Sequence, residues 1–469
     1  MARIVGRIPV RRLCLICILF AVIPLGAVDF DFDRALERFD EGKFIGGGID
    51  YVHEGDDELF SVTVAGEFRW EPAGFGFNVP LRWLVYDKNK DTDTVIGMPV
   101  YDWDDVRDWV RLITYAQYGH PGDEVYLYFG EHENRYIGHG TLLGGYFNNI
   151  RLAHPCRGIY AQFATDWAGG ELLLSDVAPP GIIGGRAYLK PLSFFDKESY
   201  ANNLELGVSW FSDVFMPEEI IRDAAGKRHF DRVFDSALGV DASFRFLAFD
   251  GWQFTPYFDW NLLRFGGNGI HGGIAQVFDI PLGDGDDLRI ETKIEGRAFE
   301  RDYTPQYFGT FYDIEKDYYF GDTTKYRTHT TSLLGSGPWY MGWYGDIVVH
   351  MVGLFAVGGS VEWNEYLDTD AGGVRTGRFG VNLFGDLLLF DRLRLSVFFT
   401  RADAGRGSFF DITRTRSLIA ATAAYSINQY MAVSVRFANG YRLVPTAGLN
   451  GDYRSELQFG VGFTAGYGF

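Results

Sequence analysis

The chain has 469 residues, 47% of them apolar and 17% aromatic, with a formal net charge of −19. That acidity excludes nucleic acid as a partner. Beyond the N-terminus no run reaches the ~18 apolar residues of a membrane helix, so transmembrane helices are excluded, although apolar residues stay plentiful at alternate positions.

Residues 1–27 read as a secretory signal peptide. Arg3, Arg7, Arg11 and Arg12 form a basic start, Leu13 to Ile23 an apolar run, and Leu25-Gly26-Ala27 a cleavage site. The run is shorter than the ~20 residues a membrane anchor needs, which favours cleavage. Losing four arginines takes the net charge to about −23. Cys14 and Cys17 leave with the signal, so only Cys156 remains. That rules out an intramolecular disulfide and a thiol-ligated metal site. Residues 28–43 form a short acidic lead in which Phe32, Ala35, Leu36 and Phe39 recur at helical spacing. An amphipathic helix and a frayed tail both fit it.

From Phe44 the pattern becomes one of strands and turns. Phe60, Val62, Val64, Phe68 and Trp70 alternate with Ser61, Thr63, Ala65, Glu67 and Arg69. Phe75, Phe77, Val79, Leu81, Trp83 and Val85 then alternate with Gly76, Asn78 and Arg82. Pro80 has no N–H for a ladder and predicts a bulge there. Residues 237–249 and 252–262 predict a hairpin turning at Asp250-Gly251. In its second strand Trp252, Phe254, Phe258, Trp260 and Leu262 oppose Gln253, Thr255, Tyr257, Asp259 and Asn261.

Between 288 and 299, Leu288, Ile290, Thr292, Ile294 and Ala298 line one face, and Arg289, Glu291, Lys293, Glu295 and Arg297 the other. Five successive ionisable side chains do not suit a dry core, where an unpaired ion costs several kcal/mol. They suit a face turned to water. Further pairs, 339–351 with 353–363, put Asp346, His350 and Glu362 on the polar side. Arg394, Ser396 and Thr400 alternate with Leu393, Leu395, Val397 and Phe399.

The last strand has Leu457, Phe459, Val461, Phe463, Ala465, Tyr467 and Phe469 on one face, with Gln458, Gly460, Gly462, Thr464, Gly466 and Gly468 between them. An apolar edge of this kind invites aggregation unless the sheet closes on itself in lipid. The stretch, with its terminal Phe469, resembles the C-terminal assembly signal of bacterial outer-membrane β-barrels. The resemblance covers the last strand only. It implies an all-β, antiparallel up-and-down transmembrane barrel over residues 44–469, with periplasmic termini. The alternating pattern itself offers about 20 candidate strands, and with the short segments near 157–190 counted as doubtful the expected wall has about 18, within roughly 16–20. The resemblance places the 28–43 lead at the periplasmic rim or in the lumen. Short connections at 71–74, 119–123, 250–251, 281–286, 386–391 and 428–430 would be periplasmic turns. Long ones at 87–106, 131–156, 213–232, 301–337 and 402–414 would be outer loops.

In this register Arg69, Arg82, Arg289, Glu291, Lys293, Glu295, Arg297 and Arg394 are lumen-facing candidates. General porins fold one loop into the pore. By that resemblance loop 131–156 is the constriction candidate, with Glu131, His132, Glu133, Arg135, His139 and Arg151, and with Gly138, Gly140, Gly144 and Gly145 permitting tight backbone paths. An ordinary surface loop fits the same residues. Acidic clusters at Glu54–Glu58, Asp102–Asp105 and Asp313–Asp317 would sit at the outer mouth and raise local cation concentration. Trp70, Trp83, Trp252, Trp260 and Tyr467 fit interfacial girdles.

No G-x-S-x-G, H-E-x-x-H or P-loop is present. No catalytic residue, cofactor or metal site is nominated. The expected function is passive diffusion of small hydrophilic solutes or ions. The alternatives are a plugged barrel, either a specific transporter or a structural or adhesive surface protein, and a membrane-embedded hydrolase. Expected partners are outer-membrane lipid, the barrel-assembly machinery through the final strand, and further copies of the chain.

Overall fold

The computed structural model describes residues 43–54, 57–87, 93–149, 156–194, 203–222, 228–249, 251–264, 267–283, 286–300, 303–316, 319–320, 323–324, 339–351, 354–369, 375–390, 392–404, 416–444 and 452–468. The signal-peptide reading, nearly all of the 28–43 lead, Arg151, Asp250 and Phe469 lie outside them.

One antiparallel sheet closes on itself. Its wall begins with β1 (Lys43–Glu54), β2 (Asp57–Trp70) and β3 (Ala73–Asp87). Five short strands follow: β4 (Ile113–Tyr118), β5 (Val125–Gly130), β6 (Gly158–Ala164), β7 (Ala168–Leu174) and β8 (Ile182–Leu189). Next come β9 (Leu204–Arg222), β10 (Arg228–Phe244, continued by Phe246–Phe249), β11 (Trp252–Leu263), β12 (Asn268–Gly283) and β13 (Asp286–Glu300). After a long connection, β14 (Trp339–Met351), β15 (Phe355–Thr369), β16 (Arg375–Leu389) and β17 (Leu393–Ala404) lead to β18 (Ser417–Asn428), β19 (Met431–Val444) and β20 (Asp452–Gly468). Each pairs with the next, and β1 pairs with β20 from Phe44↔Gly468 to Glu54↔Gln458. Every wall strand has a paired neighbour on each side, which is what hydrocarbon demands of backbone polar groups.

Twenty wall strands sit at the top of the expected range. The difference lies in β6–β8, whose seven or eight residues are too short for a clear periodic signal. The predicted loop 213–232 is instead mostly wall, because β9 and β10 run on to Arg222 and Arg228. The bulge lies not at Pro80 but between Glu58 and Leu59, opposite Val85. Pro80 pairs in register with Thr63. The neighbouring even-numbered amides, Asn78 and Leu84, donate to Leu112 and Gly97 on the other side of β3, where β4 does not reach Pro80. Its missing N–H therefore breaks no ladder bond.

Alternation sorts the two faces. Ile294 is 67% exposed while its neighbour Glu295 is 1% exposed. Val397, Leu457, Phe459, Val461 and Tyr467 are likewise exposed on the outer side. Among the described residues no helix is long and apolar enough to cross a membrane. The hydrophobic core lies inside the ring. One buried cluster joins Ile137, Leu142, Leu143 and Tyr146 to Tyr303, Tyr307 and Phe308, and to the wall at Phe211, Ala237, Leu263 and Tyr340. A second joins Phe147, Phe311 and Ile314 to Val348, Phe384, Phe398 and Leu418.

Candidate functional site

The charged row of β13 is graded along the strand. Arg289 and Glu291 are partly exposed, with Arg289 Nε 2.6 Å from Glu291 Oε1 and its Nη1 3.6 Å from Asp279. Lys293 is mostly covered, and Glu295 and Arg297 are buried. The five charges thus do not all face water. The inner three are roofed by loops and paired instead. Arg297 donates to Glu295 at 2.5 Å and to Glu362 at 2.7 Å. His271 Nδ1 lies 3.0 Å from Glu295 Oε1, its Nε2 lies 2.8 Å from the Tyr303 hydroxyl, and Tyr257 donates to Glu295 at 2.6 Å. Several donors converge on Glu295, which is the condition under which a buried carboxylate is tolerable.

Two loops make that roof. Residues 131–149 leave β5 and fold inward as a small hairpin, with Arg135 N donating to Tyr146 O at 2.8 Å and Asn148 N to His132 O at 3.0 Å. The hairpin crosses to several parts of the wall. Gly138 N donates to Glu171 at 2.8 Å, Lys293 donates to the His139 carbonyl at 2.6 Å, and the Phe147 ring packs at a tilt against Phe398 with centroids 5.0 Å apart. Gly138, Gly140 and Gly145 all take positive φ. At Gly140 a Cβ would lie 2.6 Å from the Tyr136 ring, so the tip needs glycine. Residues 303–316 form the second loop and pair with the first. Gln306 N donates to Thr141 O at 2.9 Å, Phe308 N to Leu142 O at 3.0 Å, and Tyr146 donates to Asp313 at 2.5 Å. Lys316 fixes this loop to β9 through Asp213 at 2.9 Å, and the Tyr307 hydroxyl donates to Asp235 of β10 at 2.5 Å.

The remaining sequence candidates fall as follows. Glu131 pairs with Arg157 and accepts from Asn149 at 2.7 Å, and Glu133 accepts from the same amide at 2.6 Å. The Arg135 guanidinium lies 4.5 Å over the Tyr160 ring. His132 is fully buried, with Nε2 3.0 Å from the Leu174 carbonyl. Burial and the nearby Arg135 charge push its imidazole down to about 3. Burial likewise pushes up the Tyr136, Tyr146 and Tyr303 hydroxyls and the Cys156 thiol. Arg69 pairs with Glu67 and lies 3.3 Å from the Tyr115 hydroxyl. Arg82 is engaged by Asp102 at 3.0 Å, and Arg394 holds Asp386 at 2.5–3.2 Å.

Two acidic groups expected at the outer mouth therefore do other work. Asp102 is spent on Arg82, and Asp313 is folded inside against Tyr146 and Lys316. The second inward loop was not foreseen from the sequence. Its signal is present, since Tyr303, Tyr307, Phe308, Phe311 and Tyr312 crowd into ten residues of a supposed outer loop. Solvent loops do not carry that aromatic load. Between the two loops and the wall lies a cavity of about 70 Å³, lined among others by Tyr136, Gln306, Glu362, Asn382, Arg401 and Arg416. It holds on the order of five water-sized particles.

No protein-family model matches the chain, and a search of curated proteins gives no match. Among solved structures it is similar to the outer membrane protein OpdK from Pseudomonas aeruginosa, with TM-score 0.33 and 10% identity over 91% of this chain and 99% of that one. It is also similar to Pseudomonas aeruginosa OccK8 (OprE), with TM-score 0.34 and 8% identity over 91% and 98% of the two chains. The ferric enterobactin receptor PfeA of Pseudomonas aeruginosa gives TM-score 0.34 and 9% identity over 91% and 81%.

Proposed function

We propose that the chain is an outer-membrane channel that passes small hydrophilic solutes or ions by passive diffusion, through a lumen narrowed by loops 131–149 and 303–316. The observation that carries this reading is the sorting of faces on one closed wall. Apolar side chains such as Ile294 point out, and the charged row beginning at Arg289 and Glu291 points in. On a soluble protein such an outer band would far exceed the few hundred Å² of apolar patch normally tolerated. In lipid it is the required surface. The final strand, β20, is then the segment offered to the barrel-assembly machinery, and the charged residues lining the lumen set ion preference. The test is conductance of the refolded chain in a planar bilayer under a salt gradient. Stable small steps, with a reversal potential that moves in Arg289→Glu, support the channel.

A second reading, a plugged transporter, is favoured by one observation. The inward loops contribute Leu142, Leu143, Tyr146 and Phe308 to an apolar cluster sealed against the wall at Phe211 and Tyr340. Electrical silence from a correctly folded barrel would select it.

A further inference from the structure

The tip of loop 131–149 meets the wall at a second, smaller cavity of about 10 Å³, room for roughly one water-sized particle. Its lining includes His139 from the loop, Asp241 from β10, and Asp259 and Asn261 from β11. The side-chain ligand atoms of His139, Asp241 and Asp259 lie within 4.8 Å of one another. We propose that this cavity is a binding site for a divalent transition-metal cation of the zinc class, which bridges the inward loop to the wall.

Three features point to a cation. Asp241 and Asp259 are directly opposite partners across the β10–β11 ladder, an arrangement that like charges disfavour. Asp259 is buried, and its Oδ2 has no hydrogen-bond partner, while Oδ1 lies 2.8 Å from His139 Nδ1. A buried carboxylate oxygen without a donor is costly, and a metal ion removes that cost. Local charge is also unbalanced. Arg186 is the guanidinium at the site, bonded to Asp241 at 2.9 and 2.6 Å and to Glu205 at 2.8 Å. One cation thus faces the carboxylates of Asp241, Asp259 and Glu205, which leaves about the charge a divalent ion supplies. Lys293, the next cation, is committed to the His139 carbonyl at 2.6 Å and lies 3.4 Å from Glu295.

The donor set selects the metal. One imidazole and two carboxylates suit zinc and its neighbours, whereas calcium and magnesium call for six or more oxygens. Tetrahedral ligands around zinc stand ~3.4 Å apart, given bond lengths near 2.1 Å, so movements of about 1 Å close the site. Arg186 does not block Asp241, because a carboxylate offers about four lone-pair positions. Its hydrogen bonds are the kind of outer support that metal-ligating carboxylates receive. The Asn261 amide nitrogen donates to Tyr303 at 3.1 Å, which leaves its oxygen free to complete the set. Tyr257 stacks on the imidazole at 4.2 Å and holds its plane. Ligation through His139 Nδ1 replaces its contact with Asp259 and uses the neutral imidazole tautomer whose hydrogen sits on Nε2.

The test is equilibrium zinc binding to the refolded barrel, with cobalt(II) absorption as a second readout of geometry. One zinc per chain is expected, with affinity falling at least about 100-fold in His139→Asn and in Asp259→Asn. The visible cobalt band should vanish with it, and excess calcium should not compete. Both variants are checked for heat-modifiable folding, and Asp259→Asn serves if the loop variant fails to fold. Zinc uptake equal in wild type and Asp259→Asn, or no uptake by the wild type, would overturn the site.

Discussion

His132 makes the seating of the inward loop sensitive to acid. Its imidazole is fully buried at the root of the 131–149 hairpin, where Nε2 faces the Leu174 carbonyl and the backbone N–H donates to Asn148 at 2.7 Å. Burial depresses its pKa to about 3, against an ordinary value near 6.5 once the loop is released. The seated state therefore binds fewer protons than the released state across that interval. Seating is fully stable above about pH 6.5 and weakens as pH falls towards 3. At pH 5 the linkage amounts to about 2 kcal/mol, or a roughly 30-fold rise in the released population relative to pH 7. Hydrogen exchange of peptides covering 131–149, corrected for intrinsic rates, measures it directly. His132→Gln cannot take up the proton and should flatten the dependence between pH 7 and pH 5. Equal protection of the wild-type loop at both values, or the same loss in His132→Gln, would refute the reasoning.

Other outcomes follow from the same geometry. Arg297→Met strips Glu295 and Glu362 of their shared guanidinium and should cost about 3–5 kcal/mol in urea unfolding from lipid vesicles. Arg289→Glu, at the open end of the row, should leave that midpoint nearly unchanged and shift the reversal potential towards cations. Both arginines sit on the same face of β13, and burial separates them. Gly140→Ala forces a Cβ against Tyr136 at positive φ and should loosen the loop tip by about 1–3 kcal/mol, read as faster proteolysis within 131–149. Ile294→Arg should destabilise the lipid-embedded barrel by about 2–4 kcal/mol, and less in detergent.

The wall was largely legible because strand periodicity reports which face meets which solvent. In β11, Phe258 points out while Tyr257, Asp259 and Asn261 point in, as their alternation predicts. Legibility failed where the surroundings change along a strand. The outer ends of β9 and β10 carry Glu218, Glu219, Arg222, Arg228 and Asp231. Polar residues on both faces read as a loop, although a ladder extending past the lipid has no need of an apolar face. The interior was harder still. Glu295 and Arg297 look water-facing in sequence, because nothing local announces that residues 303–316 return to cover them. Likewise His139, Asp241 and Asp259 stand too far apart in the chain to suggest a common cavity, and only the inward path of the first loop brings them together.

The central claim, that the inward loop narrows a polar lumen, is tested most directly by conductance of the chain beside a variant with residues 137–145 replaced by a short Gly-Ser turn. Arg135 and Tyr146 already pair at the neck of the hairpin, so the graft leaves the wall intact. Small steps in the wild type and several-fold larger steps in the variant are predicted. Equal conductance from both chains would contradict the account.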